Sequence, residues 1–319
     1  MIVEQERRPT RELPKDRGTH RVKGRRLRFA DDRLFFWVSF LPTAVITGTI
    51  VLLPILYTLV LSLFSQNPLV GSSVFIGLDN YRDLLQDPIF WLAFKNGIIY
   101  ASGSTIVSTV VGIGAALLLN EAFWGRGFLR GVVIFPYIVP SIVVVLIWKF
   151  MFNSRGIVND ILTQAGIIRE FIPWLGDQRF AMITIILISA WAWFPFATVS
   201  FLAALQNIPS VIYEAAAIDG AGPWRRFIAL TLPLLTPVLI VVILIRSIWA
   251  FRNFDMIWLL TGGGPINSTY ILPIMAYQEA FGKFRMGYAT AVATSLMIFL
   301  SLLAFVYFWA YSASKRNSY

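Results

Sequence analysis

The chain has 319 residues, of which 57% are apolar and only 14% charged, with a mean hydropathy of +0.69. Soluble globular chains average about 45–50% apolar and about 25% charged residues, so this composition belongs in lipid. Lys plus Arg outnumber Asp plus Glu by 27 to 17, giving +10, and there is one histidine and no cysteine. These absences exclude disulfides, thiolate nucleophiles, iron–sulfur ligands and Cys-ligated zinc. His20 lies in a charged amino-terminal segment, which leaves a Ser-His-Asp triad or an HExxH zinc site without its central residue. No stretch reads GxxxxGKS or GxxxxGKT, the loop that cradles nucleotide phosphates. The chain is expected to be non-catalytic and to bind no cofactor or metal of its own.

Residues 1–33 form a basic tail, expected to be flexible. Its run Arg21, Lys23, Arg25, Arg26 and Arg28 resembles a nucleic-acid arm in charge alone. It sits just ahead of an apolar stretch, where a basic cluster sets topology and meets anionic lipid, and no nucleic-acid partner is expected. Crossing the roughly 30 Å hydrocarbon core takes about 20 apolar residues. Six stretches reach that scale: Leu34 to Phe64, Gly97 to Leu119, Gly131 to Trp148, Ala181 to Leu205, Leu232 to Trp249 and Gly287 to Ala313. The first far exceeds the ~7–15 apolar residues of a signal-peptide core, so it reads as a retained span. Its Pro42 and Pro54 are tolerable where neighbouring helices satisfy the freed carbonyls.

Six spans place both termini on one side. With the tail inside, the inner segments carry 17 basic and 9 acidic residues, and the outer segments with their flanks, Arg246 among them, 10 and 8. The positive-inside rule then assigns both termini to the cytoplasm. None of the six stretches contains Asp or Glu. Proton- and sodium-coupled carriers keep a membrane carboxylate for the coupling ion, so this pattern argues against an ion-driven carrier, although backbone carbonyls can hold sodium.

The cation well inside a span is Arg246, with Arg252 and Asp255 following near the outer end. A membrane arginine either serves a site or pairs with a carboxylate of a neighbouring helix, and both readings stay open. Ser189, Trp193 and Phe196 share one face of the fourth span, and Arg246, Trp249 and Asn253 one face of the fifth. Aromatic planes beside hydrogen-bonding groups suit a sugar, whose C–H face stacks while its hydroxyls seek polar partners. Helix packing and an interfacial aromatic belt would produce single residues of this kind too. The two faces together point to a translocation path.

Between these spans lies the loop 207–232, in which Ser210 is a candidate N-cap, Glu214 suits the positive end of a short helix, and Ala215, Ala216 and Ala217 favour helix. Gly220 suits a left-handed stop and Pro223 the first turn of a second helix, with a bend between them. Val211, Ala215 and Ile218 form one stripe that another surface could approach closely.

The loop resembles the EAA loop of the permease subunits of binding-protein-dependent ABC importers. Glu214, Ala215, Ala216, Gly220, Leu232 and Pro233 fit its spacing, and Leu230 replaces an isoleucine. Phe75-Ile-Gly-Leu-Asp-Asn-Tyr81, Phe135-Pro-Tyr-Ile-Val-Pro140, Leu260-Thr-Gly-Gly-Gly-Pro-Ile-Asn-Ser-Thr269 and Gly287-Tyr-Ala289 look like the carbohydrate branch of that family, the maltose and glycerol-phosphate type. The Asn267-Ser-Thr269 sequon reads as a turn signature.

The resemblance implies an all-α membrane protein with six transmembrane helices, cytoplasmic termini and a coupling-helix loop, the permease domain occupying residues 34–319. It further implies a place in the inner membrane as one half of a heterodimer with a second homologous permease. Two ATPase subunits that carry ATP and Mg, an external solute-binding protein and a sugar substrate, most simply an oligosaccharide, complete the system. Glu214, Ala215, Ala216, Asp219 and Gly220 would contact the ATPase. An anionic sugar derivative such as a uronate oligosaccharide or glycerol phosphate is the alternative cargo, and a stand-alone ion-coupled carrier the alternative machine. The loops about 65–96 and 149–180 would face the binding protein through short surface helices.

Overall fold

The computed structural model describes residues 29–69 and 71–316; His20 and the basic run Arg21 to Arg28 lie outside them. The chain divides into two compact units at Pro54. In the first, α1 (Phe29–Thr47) enters a π turn at Gly48–Leu52. The described chain is already helical at Phe29, inside the segment that composition assigned to the tail. Phe35, Trp37 and Ile50 are exposed along it, as a lipid-facing helix requires.

The second unit opens with the chain's continuation into α2 (Leu53–Leu61). A hairpin of β1 (Phe64–Asn67) and antiparallel β2 (Ser72–Phe75) follows, Phe64 opposite Phe75, then α3 (Asp79–Gln86). The hairpin departs from the helix-only expectation for this loop. Next come α4 (Pro88–Asn120), α5 (Arg126–Ile138), α6 (Ser141–Met151), α7 (Ile157–Gln164) and α8 (Ala181–Gln206). The loop that joins the two sugar-type faces forms α9 (Ser210–Ile218) and α10 (Pro223–Arg226). A π turn, Phe227–Thr231, carries α10 into α11 (Leu232–Phe251), and α12 (Phe254–Thr261), α13 (Leu272–Tyr277) and α14 (Met286–Arg316) complete the chain.

Among the described residues five helices are long and apolar enough to cross a membrane, and a sixth span exists if α5 and α6 are one crossing. Those two meet at 97°, so Gly131 to Trp148 is not the single straight helix expected from its apolar run. Pro140 is the cause: it supplies no N–H, and it holds Val139 in extended backbone at φ −70°, ψ 128°. The second span begins at Pro88, earlier than the Gly97 expected, because Pro88 is compatible with the first turn and the Asp87 carboxylate accepts the Ile89 N–H at 2.8 Å. Lys95 and Asn96, at the end of the expected outer loop 65–96, are inside that helix, and Asn96 is buried.

Small residues set the bundle's core. A Cβ on Gly112 of α4 would lie 2.5 Å from the Ala197 Cβ of α8, and one on Gly103 would lie 2.8 Å from the Ile186 Cδ1. Ala93, Ala101 and Ala116 on α4 and Ala190, Ala192 and Ala197 on α8 are buried too. Helices in lipid gain little from the hydrophobic effect and are held by such close packing instead.

Polar side chains fasten the connections on the side opposite α9. Asn80 donates to the carbonyls of Ser62 (2.8 Å) and Phe64 (3.0 Å), while a Cβ on Gly287 would collide with that same Phe64 oxygen. The motif strings around residues 75–81 and 287–289 therefore meet at one carbonyl. Asn96 donates to the carbonyls of Asn267 and Tyr270, and the buried Thr269 hydroxyl donates to the Gly264 carbonyl at 2.7 Å, closing 262–271 as a turn. In the next long loop Asn159, fully buried, donates to the Ile172 carbonyl and accepts from Trp174 Nε1.

Candidate functional site

Two groups of residues stand out. The first is α9. Ser210 occupies its first helical position, with Pro209 at the N-cap and no side-chain capping bond, which corrects the expectation that Ser210 caps it. At the other end the Gly220 N–H bonds the Ala217 carbonyl and the Ala221 N–H the Ala216 carbonyl, with Gly220 at φ +75°. This is a Schellman stop, and it needs a residue without the Cβ penalty at position 220.

Val211 and Ile218 are 66% and 87% exposed, and Glu214, Ala215, Asp219 and Gly220 are exposed beside them. Ala216 is half-buried on the inner side, with Ile212 and Tyr213. Glu214 makes no hydrogen bond or ion pair among the described residues. The stripe read from the sequence therefore faces away from the bundle, with the unpartnered Glu214 carboxylate beside it at mid-helix. Beside it a cleft of about 850 Å³ is walled by Val110, Ile113 and Leu117 of α4 and by Tyr213, Phe227 and Thr231.

The second group joins the two faces read from the sequence. The Trp193 and Trp249 rings lie 5.3 Å apart, Phe196 and Trp249 4.8 Å, and the Arg246 guanidinium sits 5.3 Å from the centre of the Trp193 ring. Arg246 is buried, and its Nε donates to Ser108 Oγ at 3.3 Å. No carboxylate lies within ion-pair distance of it among the described residues. An arginine over an aromatic face is a stabilised but incompletely neutralised cation.

Ser189 and Asn253 are not in contact with those rings' cation; a third helix joins them. Asn253 Nδ2 donates to the Tyr100 hydroxyl at 2.6 Å, Tyr100 and Ser189 share a 2.7 Å bond, and Ser189 Oγ donates to Met256 Sδ at 2.9 Å. With each hydroxyl carrying one proton, this donor order runs from Asn253 through Tyr100 and Ser189 to Met256. The Met256 N–H returns to Asn253 Oδ1 as the N-cap bond of α12, so the ring closes. Arg252 and Asp255 are exposed outside it.

Tyr100, Ser108 and Tyr137 are the participants that the face-by-face reading missed. The first two carry a legible signal: Asn96, Tyr100, Ser104 and Ser108 repeat every four residues, a polar stripe along α4. Tyr137, edge-on to Trp193 at 5.7 Å, has none, because it stands on a different helix, α5, which meets α8 only in the folded bundle.

A bundle of apolar, tightly packed spans with a polar and aromatic cluster inside, and an exposed helical loop between the two spans that build that cluster, is the architecture of a multi-pass membrane permease. Residues 108–317 match the model of the binding-protein-dependent transport system inner membrane component, and the chain belongs to this family. It is 36% identical over 282 residues to the trehalose/maltose transport system permease protein MalF of Thermococcus litoralis, covering 88% of this chain and 93% of that one. It is 35% identical over 279 residues to the lactose transport system permease protein LacF of Rhizobium radiobacter, covering 86% and 93%. A bacterial ABC transporter involved in the import of the acidic polysaccharide alginate contains a chain of the same fold, with a TM-score of 0.75, 24% identity, and coverage of 90% of this chain and 98% of that one.

Proposed function

We propose that the chain is the non-catalytic permease subunit of an ATP-driven sugar importer in the cytoplasmic membrane, with both termini inside. Family membership and relatives named for trehalose, maltose and lactose transport support a carbohydrate cargo, most simply an oligosaccharide. It works beside a second, homologous permease, two ATPase subunits that hold ATP and Mg, and an external solute-binding protein. The observation that carries this reading is α9: an apolar stripe, open to a partner, flanked at mid-helix by the Glu214 carboxylate, which has no partner among the described residues. Glu214, Ala215, Ala216, Asp219 and Gly220 seat that helix on an ATPase subunit, with Glu214 meeting a basic group there.

Ser189, Trp193, Phe196, Arg246, Trp249 and Asn253 line the sugar's path. Trp193, Phe196 and Trp249 supply stacking planes, and the ring through Tyr100 fixes Asn253 and Ser189 beside them. A second cargo, an anionic sugar derivative, is favoured by Arg246, which has no carboxylate within ion-pair distance among the described residues. The redrawn spans, the first taken from Phe35 to Leu61, still contain no Asp or Glu, which disfavours a stand-alone ion-coupled carrier.

The test is Glu214→Lys in the complete importer, reconstituted in vesicles with its binding protein. ATP hydrolysis continuing without sugar uptake is the expected result. Normal uptake would remove Glu214 from coupling.

A further inference from the structure

The inner side of α9 carries one polar side chain toward the bundle. Half-buried Tyr213 places its hydroxyl 3.0 Å from Oγ1 of Thr231, which is 4% exposed. Thr231 Oγ1 donates at 3.5 Å to the Arg226 carbonyl, so the remaining proton in the pair is the tyrosine's and Tyr213 donates to Thr231. Thr231 closes the π turn Phe227–Thr231 and adjoins Leu232, where α11 begins. Arg246 and Trp249 lie further along that same continuous helix, about 20 Å along its axis.

The covalent route from α9 to α11 is poorly suited to carrying a displacement. It runs through the bend at Gly220–Gly222, the four residues of α10 and a π turn, whose wide hydrogen-bond geometry is a common seat of local adjustment. The Tyr213–Thr231 hydrogen bond spans all three and lands at the foot of the rod.

Resting on the proposal that α9 docks on an ATPase, we infer that Tyr213 and Thr231 form a strut that passes the displacement of α9 directly to α11 and hence to the Arg246–Trp249–Trp193 cluster. Both are positioning residues, touching neither nucleotide nor sugar. Tyr213 and Thr231 stand together on the wall of the 850 Å³ cleft, with Phe227 and the α4 residues Val110, Ile113 and Leu117 also lining it.

The experiment uses the complete importer and reads three quantities: co-purification of the ATPase subunits, ATP hydrolysis, and sugar transported per ATP. Tyr213→Phe and Thr231→Val each remove one hydroxyl with little change of shape, and Thr231→Ser restores it. Each removal is expected to leave ATPase co-purification intact and to lower sugar per ATP about fivefold, the order of one lost hydrogen bond. The double variant should be no worse than either single one, and Thr231→Ser should transport like the wild type. Wild-type sugar per ATP in both Tyr213→Phe and Thr231→Val would overturn the strut, and so would additive losses in the double variant. Ile218→Glu, on the outer face of α9, separates the two proposals: retained ATPase co-purification and uptake in that variant would overturn the docking reading itself, whatever the strut variants do.

Discussion

Tyr100 is the hub at the residue scale, because Asn253 donates to it and it donates to Ser189 in the closed ring. Tyr100→Phe leaves the Asn253 amide and the Ser189 hydroxyl each short of a partner inside a packed bundle, at a cost of about 1–3 kcal/mol. A lower thermal unfolding midpoint in detergent, measured against the wild type, is the expected result; an unchanged midpoint would show that the ring does not hold α4, α8 and α12 together. Trp193→Ala and Asn253→Ala are expected to lower sugar uptake while the ATPase subunits still co-purify, and unchanged substrate dependence in both would sink their place in the path. Gly112→Leu should prevent accumulation of folded protein, since the nearest atoms are the Ala197 Cβ and backbone, which cannot swing aside. At this scale the sequence was legible wherever one helix holds a whole pattern. The 189, 193, 196 face and the 246, 249 pair follow from helical spacing alone, whereas Asn253, expected on the same face as that pair, lies past the end of α11 and caps α12. Nor does spacing give Tyr137, because it stands on a different helix, α5, which meets α8 only in the folded bundle.

The elements repeat that division. Apolar length located every span to within a few residues at most ends, and Gly220 announced the stop of α9 by its residue type. The 97° bend was harder, because Gly131 to Trp148 has ordinary apolar length and its two prolines, Pro136 and Pro140, look alike in sequence. Pro136 is accommodated inside α5 and Pro140 ends it, a difference set by packing and not by propensity. The hairpin of β1 and β2 was unreadable for a related reason: four-residue strands carry almost no periodicity, and Asn80 on α3 holds the first of them by its carbonyls. Asn80→Ala is expected to loosen this region, read as faster proteolysis within residues 64–75 with the spans intact. Unchanged cleavage there would assign the hairpin's order to its own backbone pairing.

At the scale of the whole molecule, charge and chemistry are separated in space. From Phe35 onward the described spans carry no Asp or Glu, the side chains that usually hold a coupling proton or sodium ion in the membrane. Vesicles holding the two permeases without ATPase subunits are expected to show no sugar accumulation under an imposed proton or sodium gradient, and accumulation there would refute the importer reading. The absence of cysteine makes the topology directly measurable. A single Ile218→Cys substitution should react with a membrane-impermeant maleimide in inside-out vesicles and not in right-side-out ones. The reverse pattern would place α9, and with it both termini, on the outside.

The π turn at Phe227–Thr231 also has a meaning for the chain's length. A π turn is an α-helix carrying one residue too many, and each residue of a helix rotates the remainder of the rod by about 100°. The extra residue therefore sets the azimuth of everything beyond it, and Arg246 and Trp249 face Trp193 only because that count is what it is. Deleting one residue from this turn would leave a good helix with every side chain still present, yet aim the cluster at a different neighbour. Insertions and deletions here would thus alter what the permease accepts more than most substitutions do, so related chains of differing cargo can be compared by the length of this segment as well as by its residues.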